Sequence, residues 1–314
     1  MEFQKVTVEE TTIVLPTYPA AKTEALPMFA EFRSHQNASG NPYPSHVANK
    51  LERSYKKDRA WRLIRLENRY LRLEIMPELG GRIYSALDKQ TGYDFFYKQH
   101  VIKPALIGML GNWISGGLEF NWPYHHRPST YMPTDTDIER AADGAITVWL
   151  SEHEPLGRTK GMVGIRLAPD QAIFDTIVRI YNRTELRKSF LWWENAAVPV
   201  NPQYRLFFPP DVRYVQFHYR KDIATWPIAH GMFNGNNLGE NCDISYHKNS
   251  HEATSYFCAR SDYGYFGGYD EGKHCGIVHV ADPTVSIGKK MFSWGYSQLS
   301  KVWEDSLTDA DGAY

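Results

Sequence analysis

Apolar and polar positions alternate with a period of two along several stretches of the chain, the pattern of a strand with one buried face. The alternation is clearest in Tyr70-Leu71-Arg72-Leu73-Glu74-Ile75 and looser in Arg62-Leu63-Ile64-Arg65-Leu66 and Ile177-Val178-Arg179-Ile180. Together with runs of β-branched and aromatic residues, it predicts strands over 11–15, 61–66, 71–76, 146–150, 161–167, 172–181, 190–200 and 276–281, in sheets with one wet face. Asp143-Gly144, Asn234-Gly235 and Asp311-Gly312 are hairpin-type dipeptides, and Leu79-Gly80-Gly81 marks backbone with positive φ. Helical periodicity is scarce, and Pro19 and Pro27 shorten any helix in 18–32. The expected fold class is all-β. No linker or repeat divides the chain, so residues 1–314 read as a single β-sandwich domain with 1–55 as a peripheral layer.

Composition agrees with strands and turns: 14% of residues are aromatic, and 23 Gly and 18 Pro punctuate the sequence. The 35 Lys and Arg balance 36 Asp and Glu, which leaves no field for a nucleic-acid backbone or an anionic membrane. A small neutral ligand suits that balance better. Cys242, Cys258 and Cys275 match no zinc or disulfide framework and read as reduced thiols, which with the absence of an apolar leader makes a cytoplasmic protein the expectation.

The residue types that carry chemistry concentrate in 108–130, where four glycines accompany Trp113, Glu119, Asn121, Trp122, His125, His126 and Arg127. A sugar presents hydroxyls around its ring and C–H groups on its faces, and carboxylates, amides, imidazoles and indoles satisfy both. The alternative is a loop of half-buried polar groups holding one another. A second cluster is Trp192-Trp193-Glu194-Asn195, where strand alternation sends Trp192 and Glu194 one way and Trp193 and Asn195 the other. Glu194 in so apolar a run needs either a partner such as Arg205 or Arg213, or a raised pKa. A third group holds Asp270, His279, Lys290 and Trp294; for Lys289 and Lys290 a solvated turn is the competing reading. No metal is expected, because the pairs His247/His251 and His274/His279 belong to no His-Glu-x-x-His pattern. No cofactor is expected either, since the Gly-rich pieces lack a phosphate-binding fingerprint.

In sequence order, Gly80-Gly81-Arg82-Ile83-Tyr84, the run from Gly116 to Pro123, Trp193-Glu194-Asn195, Phe208-Pro209-Pro210-Asp211-Val212, Gly267-Gly268-Tyr269-Asp270 and Gly288-Lys289-Lys290 with Trp294-Gly295 resemble the mutarotase-like domain found at the N-terminus of large bacterial tetratricopeptide-repeat proteins. The resemblance implies a galactose-mutarotase-like supersandwich of two large antiparallel sheets, with a mono- or oligosaccharide on the concave surface. It also implies a His acid and a Glu base, as in aldose epimerases. His126, Glu119 and Glu194 are the candidates for catalysis; Arg82, Asn121, Trp122, His125, Asn195, Asp270, His279, Lys290 and Trp294 are those for binding. The second His of the epimerases is absent where Trp192 to Asn195 stand. The chain ends where such proteins continue with a Glu-bearing strand and then repeats, so that strand and the repeats are expected to be missing. Three functions stay open: a sugar-acting isomerase or glycoside-processing enzyme, a non-catalytic carbohydrate-binding module, and a structural domain.

Overall fold

The computed structural model describes residues 5–19, 55–106, 112–123, 126, 130–154, 158–217, 222–258 and 260–309. The fold is all-β, built from antiparallel ladders. Two compact units divide the chain: one runs to Val198 and takes back Ser306–Asp309, the other is Pro199–Asp305.

The first unit contains β1 (Thr7–Thr17), β2 (Lys57–Glu67), β3 (Leu71–Met76), β4 (Arg82–Asp88), β5 (Ala105–Leu106), β6 (Asn112–Trp113), β7 (Leu118–Asn121), β8 (Asp135–Arg140), β9 (Ile146–Glu154), β10 (Thr159–Leu167), β11 (Phe174–Asn182) and β12 (Trp193–Ala196). A six-stranded sheet has the order β1-β2-β3-β4-β7-β12, and a four-stranded one the order β11-β10-β9-β8. Of residues 1–55, the described part is chiefly β1, the edge strand of the larger sheet, paired with β2 from Thr7 to Thr17.

The larger sheet departs from the one-wet-face expectation because its middle strands are buried on both sides. One face carries Trp61, Leu63, Met76 and Tyr84 into a core with Leu15, Leu79, Ile102, Ile114 and Tyr131. Ile64, Leu66, Leu73 and Ile75 stand on the other face in matched register and are equally buried. The smaller sheet covers that second face. Leu150 of β9 lies where a Cβ on Gly81 would stand 3.0 Å away, and Phe96 meets Phe174 of β11 edge-on at 6.5 Å.

Gly161 of β10 shows how closely the two sheets approach. A Cβ there would lie 2.1 Å from Cε2 of Trp122, whose indole is 1% exposed and stacks on Trp192 at 5.9 Å.

The second unit contains β13 (Tyr204–Phe207), β14 (Tyr214–Gln216), β15 (Ile223–Thr225), β16 (Ile228–Ala229), β17 (Met232–Phe233), β18 (Asn236–Asn237), β19 (Cys242–Asp243), β20 (Thr254–Cys258), β21 (Tyr265–Asp270), β22 (Cys275–Val280), β23 (Lys289–Ser293) and part of the helix α1 (Lys301–Leu307). Its sheets run β13-β21-β22 and β15-β14-β20-β23. Phe208, Val215, Trp226, Phe233, Ile244 and Tyr256 fill its own core. The three cysteines are free thiols. Among the described residues, no helix is long and apolar enough to cross a membrane.

Gly161→Ala is expected to destabilise the protein by about 1–3 kcal/mol, because the indole it meets is already stacked and enclosed. Urea unfolding measures it, and a midpoint equal to wild type would show that Trp122 has room to yield.

Candidate functional site

The turn before β7 begins with two glycines in the left-handed region, Gly116 at φ 90° and Gly117 at φ 70°. A Cβ on Gly117 would lie 2.2 Å from the Ile83 carbonyl oxygen, so only glycine lets the turn rest against β4. That approach aims a row of backbone carbonyls at Arg82. The Arg82 guanidinium donates to Ile114 O at 3.2 Å, Ser115 O at 3.4 Å and Gly116 O at 2.7 Å, and to Thr130 Oγ1 at 3.2 Å. Arg82 is thus spent on holding the loop, and at 3% exposure it is closed to a ligand.

Beside it, the Glu119 carboxylate is 3% exposed and surrounded by donors. Trp113 Nε1 donates to Oε2 at 2.7 Å, Thr130 Oγ1 to Oε2 at 3.2 Å and Asn195 Nδ2 to Oε1 at 2.9 Å, and Arg82 Nη2 lies 3.8 Å from Oε2. His126 Nδ1 is 2.8 Å from Oε1. Burial works against the charge, but His126, Arg82 and Asn195 outweigh it and hold the carboxyl well below the usual carboxylate range. An ionised carboxylate only accepts hydrogen bonds, so the Nδ1–H of His126 is the donor and Nε2 is the nitrogen turned away from Glu119. The imidazole is also clasped by two indoles, Trp113 at 5.5 Å and Trp193 at 4.8 Å between ring centroids.

The register of β7 and β12 decides which neighbours share this face. Asn195 stands opposite Glu119 and Trp193 opposite Asn121, so these four side chains look the same way as Arg82 and His126. Glu194 stands opposite Phe120 and looks the other way, toward β11, where Thr176 hydrogen-bonds it. The face that holds His126 therefore does not hold Glu194. Burial between the sheets pushes the Glu194 carboxyl up to about 7, against the lowering influence of Thr176. Trp122, expected as a binding residue, goes with Glu194 into the space between the sheets and is buried there. His125 lies outside the described residues.

The remaining candidates belong to the second unit, and each has a local setting there. Asp270 closes the β21–β22 hairpin: Oδ2 accepts from Asn201 Nδ2 at 2.6 Å, and Oδ1 accepts from the backbone N–H of Gly272 and Lys273, both at 3.0 Å. His279 packs edge-on against Phe266 at 5.8 Å, and burial followed by the Lys289 charge lowers its pKa. Burial pushes Lys290 down to about 8. Trp294 stacks on Trp303 at 6.0 Å with planes 5° apart.

Three groups that build the His126 setting, Trp113, Thr130 and Trp193, are not among the candidate catalytic or binding residues, although all three lie in the runs that the sequence singles out. Trp193 was legible, since alternation already places it beside Asn195. Among the described residues, no group of His, Cys, Asp and Glu side chains gathers as a metal site.

A family model described as a domain of unknown function (DUF5107) matches residues 37–314. A solved structure described as a TPR-domain containing protein from Parabacteroides distasonis superposes with a TM-score of 0.78 at 24% identity, over 98% of this chain and 49% of that one. The chain thus spans about half the length of that neighbour, and at this identity the likeness concerns the fold. The Slr1438 protein from Synechocystis aligns with a TM-score of 0.49 at 12% identity, over 69% of this chain and 75% of that one.

Glu194 ties stability to pH. Unfolded, it titrates near 4.5, and folded at about 7, so the folded state binds more protons between those values. Its contribution is fully present below pH 4.5 and is lost as pH rises through 7. Glu194→Gln is expected to raise stability at pH 8 by up to about 3 kcal/mol and to change little at pH 4.5, read by urea unfolding at both pH values. A variant less stable than wild type at pH 8 would show that the carboxylate is held charged.

Proposed function

The chain belongs to the DUF5107 family, and from the Glu119–His126 pair we propose that its first unit is a carbohydrate-binding domain in which His126, among the described residues, is the proton-transfer group facing the ligand. The observation that carries this reading is the imidazole of His126, fixed through Nδ1 by a buried carboxylate and clasped by the indoles of Trp113 and Trp193. Oriented in this way, Nε2 is a directed donor or acceptor for a sugar hydroxyl or ring oxygen, and the partly exposed indoles of Trp113 and Trp193 suit C–H groups through their faces.

The mutarotase-like reading of fold and activity is part of the same proposal. Anomer exchange needs an acid and a base together within about 2.6–3.2 Å of the ring oxygen and the anomeric hydroxyl. Glu119 is a poor base, because its lone pairs are occupied and its pKa is depressed. Glu194 faces the opposite side of the strand. These three residues therefore favour binding over turnover, which brings the non-catalytic module and the epimerase-like fold into one reading. The P. distasonis neighbour is described as TPR-containing, and the same setting beside repeats is proposed for this domain.

Glu119→Gln removes the charge that faces Arg82 and fixes His126. We expect a loss of roughly 3–5 kcal/mol in stability, as when one partner of a buried pair is removed. If the melting transition were unchanged, Glu119 would not be the ionised anchor.

A thermal-shift screen of aldoses and short oligosaccharides tests the binding. A ligand at a hundred times its Kd adds about 2.7 kcal/mol of stability, and His126→Ala or Trp193→Ala should abolish that gain. Saturation-transfer NMR on the same aldoses should show anomer exchange close to the uncatalysed rate. Absence of any saccharide response, or one indifferent to both substitutions, would refute the binding. Fast exchange lost in His126→Ala would instead make the domain an epimerase.

A further inference from the structure

We propose that the outer face of the β8–β11 sheet carries a second ligand site, a groove for a short zwitterion the size of a di- or tripeptide with free termini. The proposal does not rest on the saccharide reading, since the inner face of this sheet is the one that meets Trp122 and Glu194.

Across the outer face, one rung of the ladder reads Asp135, Ser151, Met162, Arg179 from β8 to β11, and the next begins Asp137, Trp149, Gly164. Over them lies a groove of about 390 Å³ that Lys160 also lines. That volume falls among those of small-molecule sites. The floor is fixed and low. Trp149 lies flat across β10 because Gly164 has no side chain: a Cβ there would stand 2.8 Å from Cζ3. The indole is pinned by Nε1 donating to Glu139 Oε2 at 2.7 Å and by the Arg179 guanidinium 4.4 Å over its ring.

That cover decides the ligand class. A sugar would need an open ring face for its C–H patch, and Trp149 is only 5% exposed. What the groove offers instead is charge of opposite sign on its two banks, Asp135 and Asp137 on β8 against Lys160 on β10 and Arg179 on β11. Among the described residues, no hydrogen bond or ion pair engages the side chains of Asp135, Asp137 or Lys160. The neighbouring Arg166 of the same face is clasped by both Asp143 and Asp175. Strands lie about 4.8 Å apart, so the β8 and β10 banks are separated by roughly 10 Å at the backbone. An extended peptide advances about 3.3–3.6 Å per residue, so two or three residues set an ammonium against the Asp pair and a carboxylate against Lys160 and Arg179. Met162 and Ser151 lie beneath the middle of such a ligand.

Isothermal titration of the full chain with trialanine, N-acetyl-trialanine and trialanine amide tests the site. We expect saturable binding of trialanine, weakened about tenfold or more by capping either end. The double variant Asp135→Asn/Asp137→Asn should lose discrimination against the acetylated peptide while keeping it against the amide, and Lys160→Gln should do the reverse. These positions are on the surface, so wild-type melting is expected and checks that a loss of binding is local. No saturable binding of trialanine, equal binding of capped and uncapped peptides, or unchanged discrimination in the folded variants would each overturn the proposal.

Discussion

The surroundings of His126 depend on Glu119 staying charged in a place where water does not reach it. Burial alone would neutralise a carboxyl there. The charge survives because three strands and a glycine turn bring donors to it from different parts of the chain: Trp113, Thr130, Asn195 and His126, with Arg82 behind. Arg82 in turn is held by the carbonyls that the turn at Gly116 and Gly117 exposes. A cation bonded to neutral carbonyls and an anion bonded to neutral donors form a network in which each charge is satisfied without relying on one close ion pair. Its consequence at the surface is the oriented imidazole of His126.

Two glutamates that are one residue apart in register show how much a strand's faces differ. Glu119 meets polar donors and is depressed, whereas Glu194 enters the apolar space between two sheets and is raised. The same amino acid serves as an anchor on one side and as a pH-dependent weakness on the other. Neither arrangement resembles an acid–base pair straddling a substrate. It is this division, more than any missing residue, that separates binding from turnover in the proposed function.

Glycines shape both faces of the four-stranded sheet. Its inner face closes over Phe120, Trp122 and Trp192, and Gly161 gives the closest approach. Its outer face uses the same device three residues later, where Gly164 makes room for Trp149. Glycines in β10 thus set the depth of packing on one side and the depth of a groove on the other.

Local chemistry in the sequence was enough to establish the all-β class and many of its turns. Strand 71–76 was legible residue for residue, and Asn234-Gly235 and Asp143-Gly144 bend as that chemistry requires, with φ of 46° and 78° at the first pair and 82° at Gly144. These features need only nearest neighbours. By contrast, β4 and β7 gave no alternating signal, because residues such as Arg82, Ser85, Glu119 and Asn121 are as buried as the apolar ones between them. Alternation also told that Glu194 and Asn195 part company, but not which of them would meet His126. That depended on the pairing of β12 with β7, on a second sheet closing over one face, and on the carbonyls that claimed Arg82. Contacts between residues 30 to 80 positions apart fix these choices, and short-range periodicity carries no information about them.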